Sequence, residues 1–411
     1  MFTSASNNDV FIHVKDEDAI YDCSRGVFVK KTLELRAWMT DPARKQVRNL
    51  EFNPDRPAGM FVEEMTTLSG ETLGVYVYNT FDSRVVMAPI GVRDPQVEQA
   101  FEYLLANLCD GDVVDMSTLR KWLAWVVRNP GRKIGYAVFL LGAEGTGKSA
   151  LCQRVLAEIF GRYYRDTVKD DLAKRFNAQY LTEKLLVFNN ETSRLAISDI
   201  NDIITDSTIS VERKGVDTHS SVRNCTNFIF AANDETALKL RTAECRRLFV
   251  VRSTTNMKTT AMGSAVMDAF GDSATCHQRR YFAQAVVNYL ASIDLTDFDT
   301  HAPPQTAAKL DMFHAGASPQ ERWCRSELPP NGTYSKTLLW VAYKKWCLRE
   351  GIKDPGVLYS FTSCLKNTPG VRECGKQRIS AMHRHVSPSD VVCLQALPNV
   401  GTYDFPITID R

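Results

Sequence analysis

The stretch from Ile134 to Ala150, IGYAVFLLGAEGTGKSA, holds the residues whose spacing most directly implies chemistry. Gly142, Ala143, Glu144, Gly145, Thr146, Gly147, Lys148 and Ser149 fit the pattern G-x-x-x-x-G-K-[ST] without a mismatch. Glycines at these positions let the backbone turn tightly with its N–H groups aimed inward at a phosphate. Lys148 can then reach the terminal phosphates, and Ser149 can place a hydroxyl on Mg2+. The apolar run Tyr136 to Leu141 predicts a strand leading into the loop. ALCQRVLAEIF predicts a helix leading out, with Leu151, Val155, Leu156 and Ile159 on one face and a helix N-terminus favourable to an anion. Gly142, Gly145, Thr146, Gly147, Lys148, Ser149 and Ala150 are the candidate binding residues for a nucleoside triphosphate.

Four further groups follow in order. KLLVFNNET predicts a buried strand, Leu185 to Phe188, ending in Asn189, Asn190 and Glu191. An acid at the end of such a strand can polarise the water that attacks a γ-phosphate. Glu191 is thus a candidate catalytic base, and Ser149, Asn190 and Glu191 are the candidate metal-site residues. STISVERKG and VDTHSSVRN predict a strand-turn-strand whose tip carries Arg213, Lys214 and Gly215, with His219 on the returning arm. By itself such a tip reads first as a solvated turn. NFIFAAND predicts a strand ending at Asn233, whose amide can orient an attacking water. In CRRLFVVRS, Arg246 and Arg247 stand directly before another apolar strand, a placement suited to an arginine finger that neutralises transition-state charge in a neighbouring subunit.

These groups need a scaffold, and 411 residues at 44% hydrophobic and 24% charged supply enough for two or three ordinary globular domains. The net charge of +2 names no partner. The 11 cysteines are odd in number and lack a C-x-x-C pair, which argues for reduced cytosolic thiols and against a disulfide framework or zinc knuckle. No basic-then-apolar leader and no long apolar run is present, so a cytoplasmic protein without a membrane span is expected. Phe11 to Val92 reads as short strands: FIHV, IYD and VFVKK around a CSRG turn, then a hairpin of LGVYVYNTF with SRVVMAPIG. The Asp16-x-Asp18 pair lies in a polar turn and reads as solvated. Two amphipathic helices, VEQAFEYLLANL and STLRKWLAWVV, precede Pro130 and Gly131. After the strand at Leu248, residues up to Ala317 read as helical, including a short helix TAAKLDMF. From Pro319 onward PQERWCRSE, TYSKTLLWVAYKKWCLREG and LYSFTSCLKN read as helices, followed by RECGKQRIS and VVCLQAL as strands, the order of a winged helix. Residues 319–411 carry 13 Lys+Arg against 8 Asp+Glu, so positive charge gathers there. The His383-x-His385 pair has no third ligand nearby and reads as a solvated wing tip.

The order GAEGTGKS, LLVFNNE, VERKG, NFIFAAN and RR before LFVV resembles the superfamily 3 AAA+ helicases of viruses and phages. More narrowly, it is similar to the helicase portion of phage and plasmid primase-helicase proteins, whose poxvirus relatives share the layout. The resemblance implies an α/β fold with an AAA+ P-loop core at 131–255. Around it would lie a β-rich region at 1–93, a helical collar at 94–130, a helical lid and linker at 256–318, and a winged-helix-like domain at 319–411. It implies ATP and Mg2+ as cofactors, Asn233 as sensor, Arg246 or Arg247 as the trans finger, and Arg213, Lys214 and His219 as DNA contacts in a central pore. The implied activity is ATP-dependent unwinding of single-stranded or forked DNA by a homo-oligomeric, hexameric ring. The alternative is an ATP-switched replication initiator that melts an origin without processive unwinding. A packaging motor would be expected to bring a nuclease domain with clustered carboxylates, and a weakly catalytic structural ring is the remaining reading. Two departures stand out. Asn190 occupies a place that is Asp or Glu in many P-loop ATPases, and the front section is too short and too poor in acids for a primase, which is expected to be a separate chain or a missing domain.

Overall fold

The computed structural model describes residues 11–29, 46–66, 70–173, 178–193, 195–211, 220–271, 274–329, 332–368, 370–373 and 391–394. The chain forms two compact units, 1–312 and 313–411.

At the front of the first unit, β1 (Phe11–Val14), β2 (Ala19–Asp22) and β3 (Val27–Val29) form an antiparallel meander, and β4 (Gln46–Val47) adds to β1 in parallel. The chain runs directly on into β5 (Asn49–Glu51), which belongs to a second sheet with β6 (Gly59–Thr66) and β7 (Thr72–Asn79). Ile12, Val14, Tyr21 and Val47 form a small core beneath them. The expected hairpin of LGVYVYNTF with SRVVMAPIG does not form. The antiparallel partner of β7 is β6, from Gly59↔Asn79 to Thr66↔Thr72. Ser83–Val85 is instead a 3-10 turn capped by Asp82, and the N–H of Met87 donates to Ile159 O at 2.9 Å, so the segment spends its hydrogen bonds elsewhere.

Two helices follow, Pro95–Leu108 and Val113–Arg128, capped by Asp94 and Asp112. Each aspartate accepts from two backbone N–H groups, a cap worth about 1 kcal/mol. Phe101, Leu104, Leu105, Leu119, Trp122 and Leu123 are buried on their inner faces, in one core with the central sheet. Glu102 joins this pair to the later helix Cys276–Ala291, accepting from Arg120 Nε at 2.7 Å and from Tyr289 Oη at 2.7 Å.

The central sheet consists of β8 (Ala137–Gly142), β9 (Tyr164–Val168), β10 (Leu186–Asn190), β14 (Asn227–Ala232) and β16 (Leu248–Ser253). Its order is β16-β8-β14-β10-β9 and every pairing is parallel. AVFLLG and NFIFAA are buried at every position, the continuous apolar pattern of strands covered on both faces. Between these strands lie β11 (Leu195–Ala196) paired with β15 (Leu238–Lys239), a helix at Ile197–Thr205, and the antiparallel arms β12 (Thr208–Val211) and β13 (Ser220–Arg223). The helix expected after the glycine-rich loop begins as a π-helical turn, Ala150–Leu156, and becomes α-helical only at Ala157–Phe160. Five of those seven residues are buried, more than one α-helical stripe can hide, and π-turns of this kind recur at functional sites. Helices Ala261–Phe270, Cys276–Ala291 and Ala307–Ala315 complete the region.

In the second unit, helix Pro319–Ser326 carries a Ser318/Glu321 capping box and leads to β17 (Gly332–Ser335). Helices Lys336–Arg349 and Leu358–Asn367, then β18 (Val371–Glu373) and β19 (Val391–Leu394), follow. Thr333 and Tyr334, expected at the start of a helix, are in β17 because β19 supplies a strand partner from Gly332↔Leu394 to Ser335↔Val391. Trp323, Tyr343, Trp346 and Phe361 fill the core of this unit. His383 and His385 lie outside the described residues.

Candidate nucleotide site

The loop from Gly142 to Ser149 emerges at the carboxyl end of β8, between the ends of β14 and β16. Its glycines are required by both backbone and space. Gly142, Gly145 and Gly147 have φ of +150°, +79° and +99°. A Cβ at Gly142 would lie 2.2 Å from Ser253 O, and one at Gly145 would lie 2.5 Å from the Asn256 amide. The loop is closed by Met257 N–H donating to Gly145 O at 2.9 Å.

Lys148 is 7% exposed. Its Nζ donates to Gly142 O, to Ala143 O at 2.8 Å and to Asn233 Oδ1 at 3.2 Å. Burial lowers its pKa to about 8, with Glu144 opposing that shift. A buried ammonium held by carbonyl and amide oxygens, with no carboxylate bound to it among the described residues, is suited to exchange those partners for an anion. Thr146 is buried and donates to Ala143 O at 3.0 Å, whereas Ser149 is exposed beside it and Ala150 begins the π-turn.

Asn189, Asn190 and Glu191 stand at the carboxyl end of β10. Asn189 is fully buried, donating to Thr167 Oγ1 at 2.8 Å and accepting from Thr192 Oγ1 at 2.7 Å. Thr192 N–H also donates to Ala231 O at 2.8 Å, which fixes the turn against β14. Glu191 is therefore exposed from a rigid turn, in the left-handed conformation at φ +52°. Asn190 Oδ1 accepts from Glu191 N–H at 3.0 Å. Asn233 directly follows β14. Thus Lys148, Glu191 and Asn233 all follow the carboxyl ends of neighbouring parallel strands, the edge at which open α/β sheets bind ligands.

The arginine pair is at the other edge. Arg246 and Arg247 precede β16, and Arg247 O accepts from Ala137 N–H at 2.9 Å, opposite the start of β8. From there to Gly142 is a full strand length, about 17 Å at the usual rise. Arg246 is exposed, whereas Arg247 is half-buried with its Nε shielded and unbonded among the described residues. Arg213, Lys214 and His219 lie outside the described residues, and the arms β12 and β13 that flank them are paired.

Sequence reasoning passed over Asn107. From the helix Pro95–Leu108 its Nδ2 donates to Thr146 O at 3.0 Å and to Thr255 O at 3.0 Å, with Ser253 Oγ at 3.3 Å. No motif marks it; only its position in the last turn of the helix, facing the loop, does so.

A family model described as a family of unknown function (DUF5906) matches residues 140–247, from within β8 to Arg247. No curated protein matches the chain. Among solved structures, the apo C-terminal region (305–718) of NrS-1 is similar at a TM-score of 0.58 and 18% identity, covering 88% of this chain and 83% of that one. The A-form apo structure of the same NrS-1 region matches at 0.58 and 20% identity, over 88% and 84%. A further A-form structure of NrS-1 305–718 matches at 0.56 and 20% identity, over 86% and 81%. At such identities the likeness is one of fold, a mixed α/β architecture built on a parallel sheet.

Proposed function

We propose that the chain is an ATP-dependent DNA helicase of phage or mobile-element replication, acting as a hexameric ring with ATP and Mg2+ at the subunit interfaces. The observation that carries this reading is the separation of Lys148 from the arginine pair by a strand length within one chain. An arginine side chain is far too short to span it, so Arg246 and Arg247 act, if they act on a nucleotide, on that of a neighbour. In this reading residues 131–255 are an AAA+ core, 94–130 a collar, 256–318 a lid and 1–93 an accessory region. Residues 319–411, helix-strand-helix-helix-strand-strand, are a winged-helix-like DNA-binding domain. The glycine-rich loop, with its positive-φ glycines, and the buried lysine fit a triphosphate. Gly142, Gly145, Thr146, Gly147, Lys148 and Ala150 would hold it, and Ser149, with Asn190 and Glu191, would hold the metal. Mg-ATP supplies the phosphoanhydride bond when bound. Glu191 takes the proton of the attacking water, Asn233 orients that water, and Arg213, Lys214 and His219 contact DNA phosphates.

Subunit mixing tests the shared site. Lys148→Ala and Arg246→Ala proteins, each inactive alone, are expected to regain ATPase activity when mixed, and no recovery at any ratio would remove the support for it. A second reading, an ATP-switched initiator that melts DNA locally, is favoured by Asn190, whose Oδ1 is engaged by Glu191 N–H. Strand displacement on a forked substrate separates the two, since the initiator would not unwind processively.

A further inference from the structure

We propose that Lys309 is a positioning residue for Arg246, and that the segment Pro304–Lys309 clamps the arginine-bearing loop so that Arg246 is the residue offered to the neighbouring subunit. This rests on the shared-site reading above.

The loop between β15 and β16 carries Arg246 and contains no helix or strand of its own. Its conformation is set from outside, by the start of the helix Ala307–Ala315. Gln305 Nε2 donates to Ala243 O at 2.9 Å, and Lys309 Nζ donates to Cys245 O at 3.0 Å. Thr306 Oγ1 donates to Val250 O at 2.6 Å and accepts from Lys309 N–H at 3.1 Å, which fixes the helix start against β16. The next main-chain anchor is Arg247 O, held by Ala137 N–H. Arg246 therefore stands between two fixed points, with an exposed side chain and no ion-pair partner among the described residues.

Lys309 is 1% exposed, and its remaining acceptor is Pro304 O at 3.4 Å. Among the described residues no carboxylate pairs with it, and burial lowers its pKa. An ammonium in such a place costs folding energy that an apolar side chain would not. The expense is explained if the Cys245 carbonyl, one residue from Arg246, must be held in one place. The pair also divides by exposure: Arg247, half-buried with its Nε shielded, supports the strand end, whereas Arg246 faces out.

The test uses the full-length assembled protein with ATP and Mg2+. Lys309→Met should lower kcat by about 100-fold, the cost of displacing a catalytic group by around an ångström, while nucleotide affinity at the protein's own P-loop is retained. Mixing decides the route of the effect. Lys309→Met subunits keep a sound P-loop, so Lys148→Ala subunits, which keep a sound arginine loop, should restore hydrolysis. Arg246→Ala subunits should not, because both lesions fall on the same half-site. Wild-type kcat in Lys309→Met, or rescue by Arg246→Ala, overturns the proposal. If Lys309→Met does not fold, the exposed Gln305→Leu carries the same test, with a lower kcat and rescue by Lys148→Ala expected, and an unchanged kcat overturning it. Should Arg246→Ala itself hydrolyse ATP at the wild-type rate, the shared-site reading fails; should it be inactive, rescued by Lys148→Ala, and Lys309→Met be normal, only the clamp fails.

Discussion

Lys148 sits in a protein environment that opposes its own charge. Its pKa near 8 means that the nucleotide-free protein loses the ammonium across the mildly alkaline range, while a bound phosphate needs it. The sign is therefore definite: nucleotide affinity falls as pH rises, by roughly tenfold between pH 7 and 9, as the charged fraction does. Folding responds in the opposite sense at this residue. Between about pH 8 and the unfolded value near 10.4, the unfolded chain binds more protons than the folded one, so the Lys148 contribution to stability grows with pH. Titration with a fluorescent ATP analogue across that range checks the first statement, and Lys148→Met should remove the pH dependence along with most of the affinity. Glu191 makes a separate prediction. It is exposed, at φ +52°, on a turn fixed by the buried Asn189 and Thr192, so Glu191→Gln leaves that turn intact. ATP binding should persist while hydrolysis drops by about 100-fold or more, the usual worth of a general base. Comparable turnover in wild type and variant would remove Glu191 from the chemistry.

At the scale of elements, the candidate site is a loop pinned from three directions: Ser253 against Gly142, Met257 on Gly145, and Asn107 on Thr146. Replacing Asn107 with Leu frees the helix Pro95–Leu108 from the loop. Each lost hydrogen bond costs about 1 kcal/mol, so the melting temperature should fall modestly and nucleotide affinity with it. Affinity unchanged by this variant would show that this helix does not set the loop. Much of the central sheet was legible beforehand, since β8, β10, β14 and β16 are apolar runs buried on both faces and leave no competing periodicity. The same reasoning failed at β6, where Glu63 and Glu64 interrupt the apolar pattern of a half-exposed strand, and at Ser83–Gly91, where two adjacent valines suggested a strand that Asp82 turns into a 3-10 cap. Thr333 and Tyr334 read as helix because their strand partner lies nearly sixty residues further on. The loop residues were readable because their motif is local. Asn107 and Lys309 were not, because each acts through a single tertiary contact on a distant backbone carbonyl.

The first unit as a whole joins the front region to the arm that carries the basic tip. Asn79, fully buried, donates to Asn53 O at 2.9 Å, Arg56 O at 2.9 Å and Pro57 O at 3.0 Å, and so shapes the turn at residues 53–57. That turn presents Asn53 Oδ1 to Arg223 Nη1 at 2.6 Å and Asp55 to Arg223 Nη2 at 2.6 Å. Asp55 also pairs with Arg132 at 3.1 Å, a few residues ahead of β8. Arg223 ends the returning arm β13, so one carboxylate connects the front region, the entry to the central sheet and the base of the arm. Arg223 beside it holds the Asp55 carboxyl below the usual range, so the contact is fully formed at neutral pH and is lost only as the solution becomes acidic. These side chains are about 40% exposed, and solvent screening limits such pairs to roughly 1 kcal/mol or less. Asp55→Ala should accordingly lower the melting temperature by only about a degree or two. If the arm's tip contacts DNA as proposed, the effect of Asp55→Ala on function should be larger than that: basal ATPase retained, but stimulation by single-stranded DNA reduced several-fold, with Arg223→Ala matching it and the double variant adding little. Stimulation equal to wild type in both single variants would mean that the front region braces the fold without reaching the arm's work on DNA.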